Sequence, residues 1–236
     1  MIQNRRFALA FRLGALIFIL AGGLTETGVF SGNFKWGYLM YYTMQSNLLA
    51  AVLFALLAAR TAKALREEGQ FGSAGWYSRF EMVCVVGLFL TFIVYWALLA
   101  PEFNATYTSW SPWRFGNISV HAVAPLLCLL DYIFFSEAGR LKYRDIYYAC
   151  IFPLFYGVFV TVAGFAGYVY EYRIGFSNPW LSSPDLFVPV RFPYPFLDFD
   201  RIGWAVFAYV GVILAFLLLL GHGIYFIDRK VRKPCE

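Results

Sequence analysis

"RIGWAVFAYVGVILAFLLLLGHGIYFIDRK", residues 201–230, decides the kind of fold this chain adopts. From Ile202 to Ile227 it contains no aspartate, glutamate, lysine or arginine. A helix needs roughly 20 mainly apolar residues to cross about 30 Å of hydrocarbon, so this stretch is long enough to span. Five further stretches read the same way, near Phe7–Gly28, Tyr38–Ala59, Met82–Ala100, Ile118–Phe135 and Ile146–Tyr170, and Ile202–Ile227 is the last. The runs are continuous and do not alternate, which excludes an outer-membrane barrel.

Composition agrees. Of the 236 residues, 61% are hydrophobic, 21% aromatic and only 14% charged, too little charge to cover a water-soluble surface. The expected fold is an all-α, polytopic bundle of six transmembrane helices forming one domain over residues 1–236. The start, "MIQNRRFALAFRLGALIFILAGG", has a basic head and an apolar run like a signal peptide. It reads as a retained first span, because the apolar run continues past Ala21–Gly23. Cys84, Cys128, Cys150 and Cys235 form no CxxC or Cys/His pattern, so neither structural disulfides nor a metal site is expected. No cofactor is expected either.

The net charge of +5 encodes orientation rather than nucleic-acid binding. Arg5, Arg6, Arg60, Lys63, Arg66, Arg79, Arg140, Lys142, Arg144, Arg229, Lys230, Arg232 and Lys233 fall on one side. The other side holds Lys35, Arg114, Arg173, Arg191 and Arg201. By the positive-inside rule both termini are expected in the cytoplasm. The outer loops are rich in Pro and aromatics, with Trp110, Trp113 and Trp180 suited to headgroup depth. The longest, residues 171–201, reads as an interfacial anchor or as a lid over a cavity.

One polar cluster stands out within the spans. "YYTMQSNLL", residues 41–49, places Thr43, Gln45, Ser46 and Asn47 almost side by side. Such groups are costly in lipid unless they meet protein or water. Helical spacing puts Thr43, Ser46 and Asn47 on one face and turns Gln45 elsewhere. They serve either as hydrogen-bonding glue between helices or as a site. Of the two histidines, His121 lies at a depth similar to Thr43, about 5–8 Å below the outer surface. His222 lies at the opposite end. Asp131, ten residues beyond His121, is about 15 Å deeper and too far to orient that imidazole. Glu26 shares the depth of Thr43 and either joins a site there or reaches the headgroups.

A hydroxyl beside a neutral imidazole is the minimal nucleophile and general-base pair. An amide such as that of Asn47 can stabilise a developing oxyanion, with Ser46, Gln45 and Glu26 as polar support. Arg114, Arg173, Arg191 and Lys35 are candidates for holding a lipid carboxylate.

Three stretches resemble one family. "KWGYLMYYTMQSNLL" (35–49), "NISVHAVAPLLCLLD" (117–131) and "PYPFLDFDRIG" (193–203) are similar, in order, to motifs of the androgen-induced and androgen-dependent family of membrane proteins. The resemblance implies an intramembrane threonine hydrolase acting on fatty acid esters of hydroxy fatty acids, with Thr43 as nucleophile and His121 as its base. It also implies that the loop carrying Tyr194 and Asp198 helps shape the site. Gln45, Ser46 and Asn47 depart from the animal members and resemble a bacterial six-span branch, which implies the plasma membrane with the site towards the outer face. The expected partner is a lipid entering from the bilayer. The rival readings are a small-solute transporter and a non-catalytic lipid-binding protein. A retinal-type receptor is disfavoured, since no lysine lies in the middle of a span.

Overall fold

The computed structural model describes residues 2–101, 111–174 and 187–231. Trp110, Trp180 and Cys235 lie outside the described residues, and the side chain of Arg173 lies outside what is described. Six helices are long and apolar enough to cross a membrane: α1 (Arg5–Glu26), α2 (Tyr42–Glu67), α3 (Ser78–Leu99), α4 (Phe115–Phe135), α5 (Asp145–Phe165) and α6 (Phe199–Arg229).

Several boundaries differ from the hydropathy reading. An extended Tyr41 (φ −81°, ψ 144°) separates α2 from a 3₁₀ turn at Trp36–Met40, so Thr43 sits in the first turn of α2 rather than deeper. At its far end α2 runs past Ala59 to Glu67, because Ala, Leu, Lys, Arg and Glu favour helix after the apolar run ends. By contrast α5 stops at Phe165, short of Tyr170. Gly167 takes φ +89° there, and Tyr168 N–H closes back on the Ala163 carbonyl, a glycine-dependent helix stop.

The chain forms two compact units. The first contains residues 1–152 and 217–236, hence α1 to α4, the start of α5 and the end of α6. Here α1 and α4 approach closely through small residues. A Cβ on Gly22 would fall 2.4 Å from Ser119 Cβ, and one on Gly116 would fall 2.7 Å from Glu26 Oε2. Gly22→Ala is therefore expected to cost about 1–3 kcal/mol by overpacking, seen as a lowered melting temperature in detergent.

Arg12, absent from the loop-charge count because it lies inside α1, is fully buried. Its Nε and Nη2 donate to the two carboxylate oxygens of Asp131 at 2.8 and 3.0 Å, and Nη1 donates to Thr61 Oγ1 and to the Ala74 carbonyl. The segment between α2 and α3 is thereby drawn inward, with Ala74 packed against Ala8 and Phe135. Arg5 holds the same segment through the carbonyls of Gly69 and Ser73. Arg12, Thr61 and Asp131 thus form a second polar cluster within the spans, apart from the one at Thr43. Asp228, on the last turns of α6, accepts from Tyr132 Oη and from Leu141 N–H.

The second unit, residues 153–216, contains the rest of α5 and α6 and an antiparallel strand pair, β1 (Glu171–Ile174) with β2 (Phe187–Val190). Part of the long loop 171–201 is therefore a β-ladder. Phe165, Phe192 and Phe199 form an aromatic cluster with centroids 5.3–5.6 Å apart. Gly164 leaves room for Phe192, whose ring a Cβ would meet at 2.5 Å.

Candidate active site

Position 125 explains the shape of α4 around its histidine. Pro125 has no N–H, so it cannot close the α-helical bond to the carbonyl of His121, four residues earlier. The helix answers with a π turn over Ser119–Val123, in which Ala124 N–H donates to the Ser119 carbonyl. That choice leaves the Val120 carbonyl without its α-helical donor, and Pro125 cannot serve it either. Both exposed carbonyls find side chains from neighbouring helices. Asn47 Nδ2 donates to Val120 O at 3.0 Å, and Trp96 Nε1 donates to His121 O at 3.3 Å.

Asn47 therefore pins α2 to α4 one residue before His121. Its other N–H donates to the Thr43 carbonyl at 2.8 Å. The result is that Thr43 Oγ1 and His121 Nε2 stand 3.3 Å apart. His121 Nδ1 lies 2.9 Å from the Asn117 carbonyl. A carbonyl only accepts, so Nδ1 carries the proton and Nε2 turns its lone pair to the threonine hydroxyl, which donates. A backbone carbonyl thus performs the orienting task that a carboxylate performs in acid-containing triads. Thr43 is half-buried and His121 is buried.

A second π turn, Tyr95–Leu99, lies on α3 and faces this one. The Tyr95 ring stacks on the imidazole with centroids 3.6 Å apart and planes 19° apart. Asn117 Nδ2 donates to Tyr95 Oη at 2.5 Å and to the Pro112 carbonyl at 2.7 Å. Neither Tyr95 nor Asn117 stood out in the sequence. The available signal was the Tyr95-Trp96 pair within an otherwise aliphatic end of α3, together with the fourfold spacing of Asn117, His121 and Pro125.

The other expected residues divide. Asn47 was expected as an oxyanion donor, but both its N–H groups are committed to carbonyls, and its buried Oδ1 has no partner among the described residues. It acts as the link between helices. Ser46 Oγ donates to the Thr43 carbonyl and shares a hydrogen bond with Thr91 Oγ1 at 3.1 Å, tying α2 to α3. Gln45 reaches back to the Leu39 carbonyl, away from the histidine. Glu26 is half-buried at the end of α1, beside Gly116, and feels the charges of Arg114 and Lys35. Arg114 is exposed at the start of α4.

In the second unit, Arg191 is ion-paired with Asp200. Tyr194 is buried and stacks on Phe196, and Asp198 caps the start of α6 by accepting from the N–H groups of Asp200 and Arg201. Among the described residues, His222 has the Leu218 carbonyl and Tyr143 Oη as hydrogen-bond partners. Among the described residues no three His, Cys, Asp or Glu side chains converge as a metal site.

Fold and site together define a multi-pass membrane protein of six apolar helices that holds a hydroxyl–imidazole pair at one end of α2 and within α4. No family model, curated protein or solved structure matches the chain.

Proposed function

We propose that the chain is an intramembrane lipid ester hydrolase with Thr43 as nucleophile and His121 as general base. The observation that carries this reading is the oriented pair: Thr43 Oγ1 faces Nε2, and the Asn117 carbonyl holds the proton on Nδ1. Nε2 takes the hydroxyl proton as Oγ1 bonds to the ester carbonyl carbon. The tetrahedral intermediate collapses, the alcohol leaves with that proton, and an acyl-threonine remains. Water, deprotonated by the same nitrogen, then releases the acid and restores the hydroxyl.

Oxyanion support in this scheme passes from Asn47 to the start of α2. Thr43 is the second residue of that helix, and its N–H has no acceptor among the described residues. The positive end of the helix dipole favours negative charge there. Arg114 and Lys35, the cations that act on Glu26, are the groups we assign to a substrate carboxylate.

The substrate class, fatty acid esters of hydroxy fatty acids, and membership of the androgen-induced and androgen-dependent family follow the motif resemblance at Thr43 and His121. The charge bias of the loops supports cytoplasmic termini in a plasma membrane, with the pair near the outer leaflet. The alternative is a lipid-binding protein without turnover, favoured by the use of Asn47, Ser46 and Thr91 as bonds between helices. A transport path gains less support, since the deeper Arg12, Thr61 and Asp131 are bound to one another.

The deciding experiment incubates the purified chain with a long-chain p-nitrophenyl ester, quenches with acid and maps the acylated peptide by mass spectrometry. An acyl group on Thr43 is expected. Absence of turnover, or acylation elsewhere only, sinks the reading and leaves lipid binding.

A further inference from the structure

Resting on that hydrolase reading, we propose that Tyr95 is the positioning residue of the pair, its ring acting as a plate that keeps His121 Nε2 turned to Thr43. Apart from the Thr43 hydroxyl that it faces, the imidazole is held among the described residues by one hydrogen bond, from Nδ1 to a carbonyl of its own helix. Rotation of the ring about its last torsion, which is broad for histidine, would break that bond and swing the lone pair away from the threonine. A parallel ring at 3.6 Å blocks the rotation, because the imidazole must pass through the space that the phenol fills.

The plate is itself fixed. Asn117 holds Tyr95 Oη with its side-chain amide and His121 Nδ1 with its main-chain carbonyl, so one residue sets both rings. Trp96, the next residue on α3, holds the histidine backbone through its carbonyl. Stack and backbone clamp thus arise from the same π turn. Tyr95 exchanges no proton and forms no bond in this scheme, and it acts only through the imidazole.

With two histidines in the chain, ¹⁵N-histidine labelling of the full-length protein in detergent reads the ring directly, His222→Gln assigning the signals. Wild type is expected to show His121 as a single tautomer protonated on Nδ1. Tyr95→Phe retains the plate and should keep that tautomer and at least a third of kcat. Tyr95→Leu, and Tyr95→Met as a second variant should leucine impair folding, are expected to give mixed tautomers and a loss of kcat of tenfold or more with KM within threefold. A single Nδ1 tautomer in the leucine or methionine variant overturns the inference whether or not any ester is hydrolysed. So does an unchanged kcat in an active protein, or a phenylalanine variant as impaired as leucine. Failure of wild type to turn over ester, with tautomers behaving as expected, rejects the hydrolase reading and keeps the role of Tyr95 on the ring.

Discussion

Thr43→Ala is expected to lower kcat/KM for a long-chain ester by about 10³-fold or more, with the fold intact. The methyl that remains cannot form an acyl intermediate, and water held by His121 alone lacks the nucleophile's placement at the start of α2. His121→Gln should fall comparably, because an amide side chain of similar size fills the space under Tyr95 but cannot accept the proton. The double variant should be little worse than either single one, since nucleophile and base act as a unit. Stability is the control. Thr43 is half-buried and its hydroxyl makes one side-chain hydrogen bond, so its loss should cost no more than about 1 kcal/mol. Thr43→Ser should retain turnover. Parallel losses of activity and melting temperature in Thr43→Ala would instead mark the pair as glue between helices.

The other large effect lies far from that pair. Asp131→Ala is expected to destabilise the first unit by about 3–5 kcal/mol, because it strands the Arg12 guanidinium in a buried site. Thr61 and the Ala74 carbonyl would still accept from Nη1, while Nε and Nη2 would face no carboxylate. Replacing both charges together, as Arg12→Met with Asp131→Leu, should recover much of the loss, since neither ion is then left unpaired. Chemical unfolding in mixed micelles measures all three proteins. A single Asp131→Ala variant as stable as wild type would show that water or lipid headgroups reach Arg12 and that the pair is not sealed. Ester turnover should survive in the double variant, which separates this network from the chemistry.

The two results bear on what each polar group in the spans is for. Arg12 and Asp131 are mutually satisfied, with bidentate geometry and two further acceptors that together occupy four of the five guanidinium N–H groups. Thr43 and His121 differ. The hydroxyl is within reach of the imidazole, the imidazole is oriented by a carbonyl, and the Thr43 N–H is without an acceptor among the described residues. Burial alone would have ranked the charged pair first. Counting donors and acceptors reverses the ranking.

Hydropathy by itself determined the all-α class and the six spans, because the cost of exposing apolar side chains or unpaired backbone depends on composition along a helix and on little else. Helical spacing also separated Thr43, Ser46 and Asn47 from Gln45, and depth matched Thr43 with His121 rather than His222. Tertiary structure alone decided what those residues do. Pro125 freed two carbonyls of α4, and only the neighbouring helices determined that Asn47 and Trp96 would take them. The same packing brought Tyr95 onto the imidazole and Arg12 onto Asp131, pairs separated along the chain by 26 and 119 residues. Hydrogen bonds and stacking act over a few ångströms, so partners so distant in sequence are selected by which helix faces meet, and no local pattern of residues records that.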